Sequence, residues 1–296
     1  MNSFSFNRFG KMLSWVLSVN FRMLMAWTVG SFGAVFMLEL IAYKLGSFNS
    51  PWSFLHSIEQ MCGVMLIMGA LVMASSIVLT INEKRKRESF LMLPATNLEK
   101  FLALLVFTSV ISVVCMVLAF VLGDSLRMLW FWISTPESLQ QYSSFDGETL
   151  YYWWSSAVPL VAKFLTPNVL WNDSTVHYNT MFAVMQLAVI AGLVLWLHSL
   201  MILGGTLLRK YAFIITGAFF LLCGTLFGKL MQYYEISMFQ MHWENGKYVM
   251  QDVGTMAYVL AVVLPLLTIF NYWASFRIFK GFELITNKWM NYDFYK

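Results

Sequence analysis

From Met61 to Ile81 the chain carries no charged side chain, and a run of that length matches the ~20 apolar residues a helix needs to cross the hydrocarbon of a bilayer. Five further runs are comparably long and apolar, with Glu39 and Lys229 their charged residues: Leu24 to Tyr43, Phe101 to Leu122, Met181 to Gly204, Phe213 to Met231 and Thr255 to Phe276. With 59% hydrophobic and only 11% charged residues, the chain reads as an all-α polytopic membrane protein, a single transmembrane domain over residues 1–296 with six spans. Lys229, near the end of the fifth run, is placed to snorkel toward water. The first residues lack the short apolar core and small-residue cleavage site of a signal peptide, so the first span is expected to remain. Cys62, Cys115 and Cys223 all fall in apolar runs without metal-ligand spacing and read as small core residues.

Sidedness follows from the basic residues. With the N-terminus inside, six spans return the C-terminus to the same side, and all but Lys44, Arg127, Lys163, Lys229 and Lys247 of the nineteen Lys and Arg then lie inside. Lys and Arg set orientation far more than acids do, so the expected topology is N-in/C-in and the segment 82–100 is expected in the cytoplasm. The apolar stretch Tyr151 to Leu165 is short and holds Pro159 and Lys163, which suit an interfacial or re-entrant helix rather than a seventh span.

Residues 1–23 form an amphipathic pattern, with Phe9, Met12, Leu13, Val16 and Leu17 on one helical face and Arg8, Lys11, Ser14, Ser18 and Arg22 on the other. Such a helix is expected to lie flat on the inner leaflet and turn into the first span near Arg22. The tail repeats the device with Ile278, Phe282, Ile285 and Trp289. On the outside, the segment 124–180 is too long for a structureless loop and carries Trp130, Trp132, Trp153, Trp154 and Trp171, which suggests short helices at headgroup level in an aromatic belt.

The densest charge lies in "NEKRKRESFLMLPATNLEK", Asn82 to Lys100. Glu83 and Arg87, and Lys84 and Glu88, stand four apart and support a helix, which Pro94 ends. Thr96-Asn97-Leu98-Glu99 has the form of a capping box that opens the next helix.

The pattern E-x-x-x-R-E-x-x-x-x-L-P-A-T-N-x-E-K after the second span, together with the amphipathic N-terminus "NRFGKMLSW" and six spans, resembles type-2 ABC exporter permeases. The resemblance covers the N-terminal 120 residues or so. It implies that Glu83 to Pro94 is a coupling helix that docks on a separate ATP-binding subunit, with Glu83, Arg87, Glu88, Leu93, Pro94 and Glu99 as the matching positions. It also implies a bacterial cytoplasmic (inner) membrane location, a second copy of the chain or a related permease to complete the pathway, and ATP and Mg held by the partner subunit. The chain departs from the family pattern in placing its larger outer segment between spans three and four rather than five and six. No nucleic-acid partner is expected. The alternative is an integral membrane scaffold that binds a partner without transport.

No phosphate-binding G-x-x-x-x-G-K-[ST] occurs; "TLFGKLM" at Thr225 to Met231 lacks the first glycine and the hydroxyl residue. "GDSL" at Gly123 to Leu126 matches an esterase nucleophile block, but Asp173 and His177 have the wrong spacing for its partner motif and no soluble α/β frame surrounds it. The chain is therefore not expected to be an enzyme. Within the spans, Gln186, His198 and Asn271 are candidates for a pathway, or for the plainer task of hydrogen-bonding one helix to another. Glu39 lies near an outer helix end, where it can snorkel.

Overall fold

A computed structural model of the chain describes residues 4–45, 51–81, 84–134, 141–143, 149–151, 176–178, 180–208, 211–244 and 247–281. In order these form α1 (Phe6–Leu45), α2 (Pro51–Ser75), α3 (Lys84–Met92), α4 (Asn97–Leu105), α5 (Ser112–Ser134), β1 (Gln141–Ser143), β2 (Thr149–Tyr151), β3 (Val176–Tyr178), α6 (Thr180–Leu207), α7 (Ala212–Tyr233), β4 (Phe239–Glu244), β5 (Lys247–Val253) and α8 (Thr255–Lys280). A π-helical stretch, Val106–Ile111, joins α4 to α5. Six helical stretches are long and apolar enough to cross a membrane, so the chain is an all-α polytopic membrane protein whose strands are short pieces between helices.

The last three spans end within a few residues of the expected limits, because their apolar runs are bounded by polar residues or turns. The first three differ. Nothing between Phe6 and Leu45 breaks a helix, and α1 runs unbroken for 40 residues, with no turn at Arg22. At 1.5 Å per residue it is about 60 Å long, twice the ~30 Å of hydrocarbon. In its N-terminal part Met12 and Val16 are buried in protein, Phe9, Leu13 and Leu17 are half-buried, and Lys11, Ser14 and Ser18 are exposed. The amphipathic pattern is real, and protein covers the centre of its apolar stripe.

The second span begins at Pro51, ten residues before the expected start, and stops at Ser75. Proline suits the first helical position, where its missing N–H is no loss. At the other end Ser75 Oγ donates to the Val72 carbonyl and Ser76 Oγ to that of Met73, both at 2.7 Å, a local competition that weakens helix continuation. A turn and a single 3-10 turn, Leu79–Ile81, follow. The third span runs on to Ser134, so Asp124, Arg127, Trp130 and Trp132 lie on α5 rather than in an outer loop. Within 124–180 the described elements beyond α5 are strands: β1 pairs antiparallel with β2, and β3 pairs parallel with β5, which pairs antiparallel with β4. Residues 152–175, which include Trp153, Trp154, Trp171 and nearly all of the expected interfacial helix, lie outside the described residues, as does the tail beyond Gly281.

The chain divides into two compact units, each assembled from non-contiguous segments: residues 1–16, 71–108 and 167–296 in the first, and 17–70 and 109–166 in the second. In the first, α6 and α8 pack along their length. Gly205 lets α6 approach the end of α2 so closely that an added Cβ would collide with the Ser75 carbonyl oxygen. Phe182 at the start of α6 packs on Phe239 and Val253 of the sheet. In the second unit Val35, Phe54, Ile58, Cys62, Phe120 and Phe131 form the core, with Phe54 and Phe131 edge to face at 6.0 Å.

Candidate functional site

The charged segment folds as its residue types require. Helix α3 ends just before Leu93-Pro94, and Thr96 adopts the extended backbone of an N-cap. Thr96 Oγ1 accepts from the Glu99 N–H at 3.3 Å, while Glu99 Oε2 accepts from the Thr96 N–H at 2.8 Å, a complete capping box. Glu99 then does more than cap. Its Oε1 accepts from the Ser5 backbone N–H at 2.8 Å and from Arg8 Nη2 at 2.9 Å, and Arg8 Nε lies within 3.3 Å of both carboxylate oxygens. The carboxylate is 0% exposed and the Arg8 side chain 27% exposed, so the start of α1 is tied by a charge-assisted contact to the turn between α3 and α4.

A second tie closes the other end of the turn. Lys100 Nζ donates to the Leu91 carbonyl at 2.9 Å, satisfying one of the orphan acceptors at the end of α3, and its ammonium sits 5.7 Å from the Phe90 ring centroid. Phe90 itself lies between Trp15 of α1 and Phe279 of α8, at 5.8 and 6.2 Å, and Phe101 packs on Phe276 and Phe279. Aromatic packing and two ion-assisted contacts hold this end of the first unit together.

This geometry sorts the residues expected to dock. Arg87 is buried, on the same face of α3 as Phe90, and Glu99 is fully enclosed; both serve the interior of the junction. Glu88 and Leu93 are half-buried and Pro94 is exposed. Glu83, with the pairing expected of it, lies outside the described residues. The face of α3 turned outward is Arg85, Ser89 and Met92, spaced four and three apart. Met92 is 84% exposed, a large apolar side chain standing free at the tip. The period of α3 carries this assignment, but it becomes readable only once Phe90 is known to be buried. Arg8 was the residue that sequence reasoning missed, because the capping box already accounted for Glu99.

The other candidates separate. His198 Nδ1 is 2.7 Å from the Tyr272 hydroxyl, and Asn271 Nδ2 donates to Ser199 Oγ at 3.0 Å. These neighbouring pairs brace α6 against α8, so His198 and Asn271 are brought together as a helix–helix contact. Gln186 is half-buried three turns away on α6 and does not join them.

A second polar cluster lies in the second unit. Glu39 does not snorkel: it is 0% exposed, with Oε2 3.1 Å from Arg127 Nε. Arg127 Nε also donates to Asp124 Oδ1 at 3.0 Å, its guanidinium lies 5.8 Å from the Phe131 ring, and Cys62 Sγ is 3.9 Å from Glu39 Oε1. Mutual neutralisation lets Asp124 and Arg127 sit inside a spanning helix, which is why α5 does not end where charge first appears. Gly123 of the "GDSL" string is a packing position, where an added Cβ would lie 3.1 Å from Val35 Cγ1, and Ser125 Oγ donates to the Val121 carbonyl at 2.6 Å. The string is helix packing plus an ion pair. Asp173 lies outside the described residues. Among the described residues no three His, Cys, Asp or Glu side chains converge as metal ligands would.

No family model, curated protein or solved structure matches the chain.

Proposed function

We propose that this chain is the membrane-spanning permease subunit of an ATP-driven exporter in the bacterial cytoplasmic membrane, and that residues 82–100 couple it to a separate ATP-binding subunit. The observation that carries the reading is a short helix held rigidly from behind and presenting a mixed face outward: Arg85, Ser89 and Met92 exposed on α3, with Glu99, Arg8 and Lys100 pinning its base. A loop that only fixed topology would need the basic residues alone. It would need neither the buried carboxylate anchor nor a fully presented Met92. Met and Arg are among the residue types enriched in protein–protein interfaces. A second copy or a related permease would complete the pathway, and ATP and Mg would reside on the partner.

A photo-crosslinking residue at position 92 tests this directly. In intact cells it is expected to capture a protein with a phosphate-binding loop of the ATPase type, and Arg85→Glu with Ser89→Glu beside the probe should abolish that capture without loss of the folded chain. Crosslinks to lipid alone, or undiminished capture by a variant carrying Arg85→Glu and Ser89→Glu beside the probe, would sink the assignment. The proposed sidedness has its own check: a cysteine at Ser143 should react with an impermeant thiol reagent from outside and one at the exposed Ser89 should not.

A further inference from the structure

Beside the Glu99 anchor lies a cleft of about 340 Å³ lined by Arg8, Lys11, Met12, Leu93, Pro94 and Ala95. We propose that it binds the phosphate headgroup of an anionic phospholipid, with Lys11 as the cation that selects it. The inference is independent of the export reading.

Charge comes first. Arg8 is neutralised by Glu99 at 2.9 Å, whereas Lys11, one turn further along the same face of α1, is exposed and makes no ion pair among the described residues. Among the described residues the cleft therefore carries one positive charge without an ion-pair partner, placed at its rim. The remainder of the lining is apolar: Met12 is buried beneath it, and Leu93, Pro94 and Ala95 form the facing wall. Pro94 has no N–H to offer, and the Ala95 N–H is spent on the Leu93 carbonyl at 2.8 Å. A wholly polar ligand such as free phosphate would find one ammonium and little else. An amphiphile finds a cation for its phosphate and carbon surface for its glycerol and upper chain.

Position comes second. Trp15 packs on Phe90, and Phe90 and Phe101 on Phe279, where the apolar run of the third span begins, and tryptophan is the residue type enriched at the membrane–water interface. Lys11 stands four residues before Trp15 on an unbroken helix, about 6 Å along its axis toward the N-terminus and away from the apolar run, where a lysine reaches phosphate rather than hydrocarbon. Lys280 and Arg277 end α8, whose Phe279 belongs to the same aromatic group, so the basic character continues around this end of the unit.

The test uses the purified full chain in detergent micelles with added phosphatidylglycerol or phosphatidylcholine, read by native mass spectrometry and by the unfolding midpoint. The expected result is one phosphatidylglycerol retained in preference to phosphatidylcholine, a preference that falls about fivefold in Lys11→Gln, the effect of one lysine at a membrane surface. Lys11 is exposed and makes no ion pair among the described residues, so the variant should fold; a Ser14→Gln variant, one turn along the same exposed side, should keep the preference. Three outcomes would overturn the proposal: equal retention of the two lipids, an undiminished preference in Lys11→Gln, or stabilisation by inorganic phosphate equal to that by the lipid. If Lys11→Gln instead lost capture of a protein partner while lipid retention stayed unchanged, the cleft would belong to a protein interface and the lipid assignment would fall.

Discussion

Arg8 and Arg127 each meet buried carboxylate, but in different surroundings. Arg8 approaches Glu99 from the first turns of α1 with 27% of its side chain exposed, and the carboxylate also collects two backbone N–H groups. Arg127 is enclosed with Glu39 and Asp124, none more than 1% exposed, with Phe131 beside its guanidinium and Cys62 beside Glu39. At the border, water shares the load and the ion pair adds to a cap that would exist without it. In the interior the opposite charges compensate each other away from water, so the three residues stand or fall together. The first arrangement suits a part that must meet something else; the second suits a part that must hold helices in place.

The largest expected effect comes from breaking the interior cluster. Arg127→Met leaves two carboxylates without their cation and should cost about 3–5 kcal/mol, read as a lower midpoint of thermal or SDS-induced unfolding. The triple variant Glu39→Gln, Asp124→Asn, Arg127→Met should regain most of that loss, because neutral groups need no counter-charge. If Arg127→Met cost no more than the border variant below, enclosure would not be what separates the two sites.

Next comes Glu99→Gln, which loses charge-assisted contacts to Arg8 and should cost about 1.5–3 kcal/mol. The sharper readout is local: faster hydrogen exchange at Ser5 to Phe9 and across α3, with exchange around Phe54 and Ile58 unchanged. Spread of the loosening into those core residues would contradict the local nature of the anchor.

Smaller again is Thr96→Ala, which removes only the cap and should cost about 1 kcal/mol, with faster exchange confined to the start of α4. Smallest is the response to salt. Raising ionic strength from 0.1 to 1 M shortens the screening length from ~10 to ~3 Å, so the cost of Arg8→Ala should shrink while that of Glu39→Gln stays level. A salt-independent Arg8→Ala would show that the border site is as closed as the interior one.

Much of this was legible beforehand, for reasons visible in particular residues. The capping box at Thr96 and Glu99 is a contact between residues three apart, and the spans from Thr180 onward are set by uninterrupted apolar runs. The early start of α2 at Pro51 was hidden because His56, Glu59 and Gln60 interrupt the hydropathy that marks the rest of the span. The amphipathic stripe of Met12 and Val16 was correctly periodic, but periodicity says only that something apolar covers that face. Protein covers it here. Glu39, Asp124 and Arg127 read as charges at span ends when taken singly, and only their meeting explains why α5 continues past them.

By itself the sequence determined features that depend on neighbours within one or two helical turns: the apolar core of each span, where Pro94 stops α3, and how Thr96 starts α4. Tertiary structure decided the pairings across the chain. It chose Arg8 for Glu99 over 91 residues, and it set Arg127 against Glu39. It also turned Arg87 inward and Met92 outward on the same short helix. The physical reason is that hydropathy and capping are set by local backbone geometry, whereas a buried charge is stable only beside its opposite, and which opposite arrives is settled when distant helices pack.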